Sequence, residues 1–333
     1  MINKATLKIF LMAIVCLFVV ACSQDGNKKV LTLAHGLDQK HVVHIAMEHM
    51  KNRLAELSGG ELEIKIFPGG QLGGERELIE LLQIGTIAMT KVSASPLESF
   101  SPQIKVFSVP YVFRDREHYF SVLDSEQGKE LLHSMAASRL RGLGYYDAGS
   151  RNFYTTHQPI HTPSDLTGLK IRVQKSQTSI QMVEALGAAA TPISWGELYT
   201  ALQQGVVDGA ENNAPSFYLS RHYEVSKFYT LDEHTAVPDI LLIGLPVWKS
   251  LSPQQQKWLQ QAADESIAYQ RQLWATASTE ALQKVEAAGV TIIKPNKIDF
   301  IQSVKKMHDS FDGTQVGHLI KAFSAINPEQ VTP

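Results

Sequence analysis

The sequence predicts two α/β lobes bridged by one long helix, and three observations carry that expectation. Strand-like and helix-like patterns alternate through two separate stretches of the chain. A single helical pattern then runs unbroken from Ser252 to Gly289. Finally, 333 residues are more than one hydrophobic core usually fills.

In the first stretch, Val30-Leu31-Thr32-Leu33-Ala34 reads as a buried strand. A helix follows over about 42–57 and is ended by Gly59-Gly60. Glu61 to Phe67 alternates apolar and polar residues as a strand does, and Pro68-Gly69-Gly70 breaks the chain. Gly73-Gly74 opens a second helix over about 75–84, and Ile87 to Val92 reads as a further strand. The alternation argues for a largely parallel sheet.

The second stretch begins near Gly149. Thr162-Pro163-Ser164-Asp165 has a capping residue, a first-turn proline and an acid at the third position. The strand Leu169–Val173 follows, then a helix through Ala185 closed by Gly187. Ser194-Trp195-Gly196-Glu197 reads as a capping box whose helix ends at Gly205, and Val206–Ala210 as a strand. Ser252-Pro253-Gln254-Gln255 starts the long helix, about 50 Å at 1.5 Å per residue, enough to cross both lobes. Its apolar positions hold no heptad, which argues against a coiled coil.

At the N-terminus, Lys4 and Lys8 precede an apolar run, Ile9 to Val20, too short for a membrane-spanning helix but suited to an export signal. The run ends Val19-Val20-Ala21-Cys22, which resembles the lipobox of bacterial lipoproteins. That resemblance implies removal of residues 1–21, a lipid on Cys22 and a polar tether over 22–29. The alternative is an ordinary signal peptide with a chance cysteine. The only other cysteine, Cys16, lies inside the signal, so no disulfide is expected in an exported chain.

The chain is 44% apolar and 19% charged with a formal net charge of −2, which excludes wholesale disorder and gives no basic surface for nucleic acid. No dinucleotide fingerprint, phosphate loop or nucleophile elbow is present, so no cofactor and no catalysis are expected. His41, His44 and His49 lie on or near the first helix, but only the first two have same-face spacing; two histidines with no carboxylate or third ligand nearby read as a solvated face rather than a metal site. Trp195, Trp248, Trp258 and Trp274 are core candidates, with Trp195 also placed to line a cleft.

Candidate binding residues fall at strand ends. Arg172, near the carboxyl end of Leu169–Val173, can offer a carboxylate its planar fork of donors, or can pair with a neighbouring acid on an exposed face. Arg151 lies where the first lobe hands over to the second, as a ligand group or a solvated loop arginine. Asn212 follows a strand end, as a ligand amide or as simple turn chemistry.

Four segments in order carry a wider resemblance: Phe67-Pro68-Gly69-Gly70-Gln71-Leu72-Gly73, Val109-Pro110-Tyr111-Val112-Phe113, Gly168-Leu169-Lys170-Ile171-Arg172-Val173, and Glu197 to Asn212 with its Asp208-Gly209-Ala210-Glu211-Asn212 end. Together they resemble the DctP-type solute receptors of tripartite ATP-independent periplasmic (TRAP) transporters. The resemblance implies a two-lobe periplasmic binding fold with a helix spanning both lobes. Lobe one would take 30–149 and about 238–277, lobe two 150–237 and about 278–333. It implies that Arg172 clamps a substrate carboxylate, that Arg151 joins it, and that Asn212 lines the site. By position His35, Glu75 and Ser93 are expected to face the cleft from lobe one, with Trp195 and Asp239 on the other walls. Asn213 stands where the family pattern has proline. So many polar groups exceed what a short dicarboxylate requires, which favours a sugar acid such as a hexuronate over C4-dicarboxylates. The expected partners are the acid, the small and large permease subunits, and a membrane through the lipid. A ligand sensor for a membrane kinase is the other role such a fold could serve.

Overall fold

The computed structural model describes residues 28–328, so the expected signal, Cys22 and nearly all of the tether lie outside the described residues. The elements used below are β1 (Lys29–Ala34), α1 (Val42–Leu57), β2 (Leu62–Phe67), α2 (Glu75–Ile84), β3 (Met89–Ser93), β4 (Leu140–Tyr146), β5 (Arg151–Thr155), β6 (Lys170–Val173), α3 (Gln177–Ala185), β7 (Ala189–Pro192), β8 (Gly209–Asn212), β9 (Phe228–Thr235), β10 (Asp239–Gly244), α4 (Pro253–Ala287), β11 (Thr291–Ile293) and α5 (Gln315–Ala325).

Two sheets form, in the orders β2-β1-β3-β10-β4 and β11-β9-β5-β8-β6-β7. Each is mixed rather than largely parallel, for one topological reason. The chain crosses from the first sheet to the second between β4 and β5, and back between β9 and β10. In consequence β10 runs antiparallel to both its neighbours, and β5 to both of its own. The crossovers bring the ends of β3, β5, β8 and β10 toward one another, with Asp239 opposite Ser93 and Asn152 opposite Asn212.

The long helix α4 has 35 residues and a full capping box, Ser252 and Gln255 each bonding the other's backbone. Its first two-thirds bury Leu259, Ala262, Ala263 and Trp274 in the first lobe's core, and its last third buries Ala281 and Val285 in the second lobe's. It therefore splints both lobes. Trp274 also explains Gly149 in the first crossover. That glycine sits at φ +59°, and a Cβ there would come within 2.9 Å of Trp274 Nε1.

Local expectations meet mixed outcomes. α1 and α2 have the expected bounds, and Thr162 with Asp165 does cap a turn, although of 3-10 type. Ser194 makes no capping bond; the chain enters its helix through a 3-10 turn at Trp195–Glu197. The strand expected at Val206–Ala210 is shifted onward to Gly209–Asn212. Residues 278–333 do not all belong with the second lobe, because α5 returns to bury Val316 and Phe323 in the first lobe's core. The histidines expected on a solvated face are not there: His41 and His44 are buried.

Gln270 pins the first crossover to α4. Its Oε1 accepts from Asp147 N–H at 2.8 Å, and its Nε2 donates to Asp147 C=O at 2.7 Å, both fully buried. Gln270→Leu leaves two buried backbone groups unpaired at about 1–3 kcal/mol each. A urea titration should show a clearly lower midpoint; an unchanged midpoint would mean the crossover is held by other contacts.

Candidate functional site

Between the lobes lies a small cleft lined by Gly36, Leu37, Glu75, Lys91, Ser93, Arg151, Arg172, Gln174, Trp195, Asn212, Ser216 and Asp239, among others. Seven of the eight residues expected to bind substrate line it. His35 does not. It is fully buried, with its ring turned toward α1, and its neighbours Gly36 and Leu37 form the wall instead.

The His35 ring is fixed by two bonds. Leu37 N–H donates to Nδ1 at 3.1 Å, so the proton of the neutral ring is on Nε2, which donates to His44 Nδ1 at 3.0 Å. Burial, with Lys91 nearby, lowers its pKa to about 2 and keeps it neutral. His41 is arranged likewise: its Nδ1 caps α1 by accepting from Val43 N–H, and its Nε2 faces Ser216 Oγ of the other lobe at 3.4 Å.

The second lobe contributes two arginines in opposite states. Arg151 is nearly saturated. It forms a buried two-pronged pair with Glu211, donates to Glu211 C=O at 2.7 Å, and donates from Nη1 to Asn212 Oδ1 at 3.1 Å. Arg172 commits only Nε, to Ile193 C=O at 2.8 Å, and its guanidinium lies 5.9 Å from the Trp195 ring centre. Its buried Nη1 has no hydrogen-bond partner among the described residues. Burial lowers its pKa below the ordinary arginine value. Asn212 spends its side-chain oxygen on Arg151 and on Asn213 N–H, which leaves its NH2 as the group to offer.

Behind Arg151 the charges continue. His234 Nδ1 bonds Asp232 Oδ2 at 2.7 Å, and its Nε2 lies 3.5 Å from Glu211 Oε2. Two cations and two anions thus cancel inside the second sheet. Burial opposes the charge on Glu211 and on His234, but Arg151 and His234 hold Glu211 down at about 2, and Asp232 and Glu211 hold His234 up at about 9.

The first lobe supplies an acid–base–acid wall. Lys91 and Ser93 project from one face of β3, as alternate residues do. Lys91 Nζ bonds Asp239 Oδ2 at 2.9 Å and lies 3.9 Å from Glu75 Oε1, which accepts from Ser93 N–H at 2.8 Å. Burial raises the Glu75 pKa, with Asp239 adding to the rise against Lys91. Lys91 is a site residue that inspection of strand ends missed; the period-two alternation with Ser93 was its signal.

The lobes are closed on each other. Ser93 Oγ donates to Gln174 Oε1 at 3.2 Å, and Thr178 N–H, at the start of α3, donates to Glu98 Oε1 at 3.2 Å. No group of three or more side chains among the described residues could hold a metal ion, and no described helix is long and apolar enough to cross a membrane.

Two lobes hinged at paired crossovers and closed over a polar cleft define a receptor that captures a small solute. The sequence profile of the bacterial extracellular solute-binding proteins, family 7 (DctP), matches residues 33–314, and the chain belongs to that family: the extracytoplasmic receptors of TRAP transporters, which work with membrane permeases and are not enzymes. It is 41% identical to the protein YiiZ of Salmonella typhimurium over 84% of each chain. It also resembles a TRAP solute-binding protein of Bradyrhizobium solved with bound galacturonate, at 40% identity and a TM-score of 0.87, covering 89% of this chain and 99% of that one. A third relative, from Pseudomonas putida F1 and solved with bound D-glucuronate, is 34% identical with a TM-score of 0.87, covering 90% and 97%.

The buried charge network makes a pH prediction. A raised His234 pKa adds stability that is complete below its ordinary 6.5 and is lost as pH rises through about 9. A lowered Glu211 pKa adds stability present above 4.5 and lost as pH falls toward about 2. Urea midpoints should therefore decline between pH 6.5 and 9 in the parent protein and lose that part of the slope in His234→Gln. Equal slopes in the two proteins would show that His234 carries no raised pKa.

Proposed function

We propose that the cleft binds a hexuronate, with the sugar-acid carboxylate on Arg172, and that closure presents the loaded receptor to its permease. The observation that carries this reading is the contrast between the arginines. Arg151 is occupied by Glu211, whereas Arg172 holds a dry guanidinium whose Nη1 no described protein group satisfies. A carboxylate is the ligand group that answers such a fork. The free NH2 of Asn212 and the remaining N–H of Arg151 stand ready for the carboxylate or an adjacent ring oxygen. Glucuronate and galacturonate in the solved relatives support the same size and charge.

In this mechanism Arg151 is a positioning residue as much as a contact. Its pairing with Glu211 and Asn212 sets the end of β8 against the start of β5. Trp195 lies over the Arg172 guanidinium and limits its motion by a cation–π contact.

Thermal unfolding against hexuronates, aldonates, C4-dicarboxylates and 2-keto acids tests the substrate class. A ligand at about 100 times its dissociation constant adds roughly 2.7 kcal/mol, so the true ligand raises the midpoint by several degrees. Calorimetry with Arg172→Lys, which keeps the charge but loses the fork, should show affinity at least about tenfold weaker. Unaltered affinity in that variant would remove Arg172 from the clamp, and a shift with succinate or malate but with no hexuronate would overturn the substrate class.

The lipid on Cys22 is part of the same proposal and is supported by the Val19-Val20-Ala21-Cys22 segment. Two or more acyl chains would hold the receptor stably beside its permease, where one would be marginal. Mass spectrometry of membrane-extracted protein should find a diacylglyceryl Cys22 at the mature N-terminus. A soluble product with an unmodified N-terminus downstream would refute it.

A further inference from the structure

The wall opposite Arg172 has its own chemistry. Lys91 is 4% exposed and sits between two carboxylates, Asp239 at 2.9 Å and Glu75 at 3.9 Å. Its ammonium is answered by Asp239 Oδ2. The second oxygen of each acid, Asp239 Oδ1 and Glu75 Oε2, makes no hydrogen bond with a described residue, although both side chains line the cleft. The wall therefore presents carboxylate acceptors, with a single ammonium that is already paired to them.

We propose that Asp239 and Glu75, held by Lys91, are the specificity-determining residues of this receptor: they accept hydrogen bonds from ligand hydroxyls distal to the carboxylate, and they reject acids that carry a second carboxylate at that end. The inference rests on the sugar-acid reading of the cleft and refines it to a polyhydroxy monocarboxylate. With Glu75 ionised, two carboxylates face one ammonium and the wall is negative. With Glu75 protonated, Lys91 and Asp239 cancel, and a second ligand carboxylate still finds no free cation. A hydroxyl donates into either arrangement, whereas a keto group can only accept and meets the ionised oxygens lone pair to lone pair.

The geometry also explains why Lys91 is there. Two carboxylates brought this close on one buried wall would repel, and one would take up a proton. The ammonium lets both persist with one oxygen each turned to the cleft. Ser93 completes the arrangement, since its N–H fixes Glu75 Oε1 and its hydroxyl reaches Gln174 across the cleft. The wall is thus assembled fully when the lobes meet.

The test compares ligands of one carbon skeleton. Using the full chain, isothermal titration is run with D-glucuronate and D-galacturonate against their aldarates, D-glucarate and galactarate, which are open chains with a second carboxylate at the far end. It is also run against the open-chain monocarboxylates L-gulonate and L-galactonate, which separate charge from ring opening. Juxtaposed like charges cost several kcal/mol, so the parent protein should bind the better hexuronate at least about 100-fold more tightly than its aldarate. In Asp239→Asn and in Glu75→Gln the hexuronate should weaken while the aldarate weakens less or gains, narrowing the ratio by about tenfold or more. Aldarate binding within tenfold of hexuronate in the parent protein, a measurement that needs no variant, overturns the proposal, as does an unchanged ratio in both folded variants. If neither class binds the parent protein, the sugar-acid reading itself falls, which is a separate outcome from failed discrimination.

Discussion

Everything in the cleft depends on a charge buried inside a β-sheet. Arg151 begins β5 in the dry interior of the second lobe, one residue after the crossover, and an isolated guanidinium there would be untenable. Glu211 answers it from β8, His234 answers Glu211 from β9, and Asp232 answers His234 from the same strand. Three adjacent strands are locked together at the edge where the lobes meet. Removing one member of such a network leaves an uncompensated charge, so the arrangement fixes these strands far more strictly than apolar packing would. With Arg151 spent on structure, Arg172 is left as the guanidinium free to take an anion.

How much of this is legible in the sequence varies with the range of the interaction. Local signals work: the α1 and α2 bounds, the Ser252 capping box and the length of α4 all follow from residues a few positions apart. Long-range pairing does not. Nothing in the run from Gly209 to Asn212 says that β8 lies beside β5, so the mixed sheets, and the occupation of Arg151 by Glu211 sixty positions away, are invisible before the fold is known. The return of α5 to the first lobe is hidden for the same reason, since an amphipathic helix does not announce which core it covers.

The site shows the same division. Seven cleft residues are recoverable from strand ends and the family resemblance. His35 is misplaced because its strand-end position is right but its ring is captured behind the wall by Leu37 and His44. Lys91 shares a face of β3 with Ser93, but the acids that pair with it there, one from α2 and one from β10, lie on other elements and are not readable from its strand. The solvated-face reading of His41 and His44 fails on similar grounds. Burial is a property of what packs against a residue: α4 and the second lobe cover His41, and the His35 ring packs against His44.

Closure follows from these placements. Three of the contacts between lobes, Ser93 with Gln174, Glu98 with Thr178 and His41 with Ser216, are neutral or singly charged hydrogen bonds at 3.2–3.4 Å, and Lys175 with Glu77 adds an exposed ion pair at 3.8 Å, each of modest net worth. Against them stands Arg172, which is 3% exposed with the lobes closed. A buried charged donor without a partner costs more than one such bond returns. An acid removes that cost, and if its far end bonds Asp239 and Glu75 it also joins the second lobe to the first. Only contacts made in the closed form alone can favour closing. A ligand reaching from Arg172 to the opposite wall makes such contacts at both ends. In the proposed mechanism the same unpaired donor that would take a carboxylate opposes closure over an empty cleft, so that closing reports on loading.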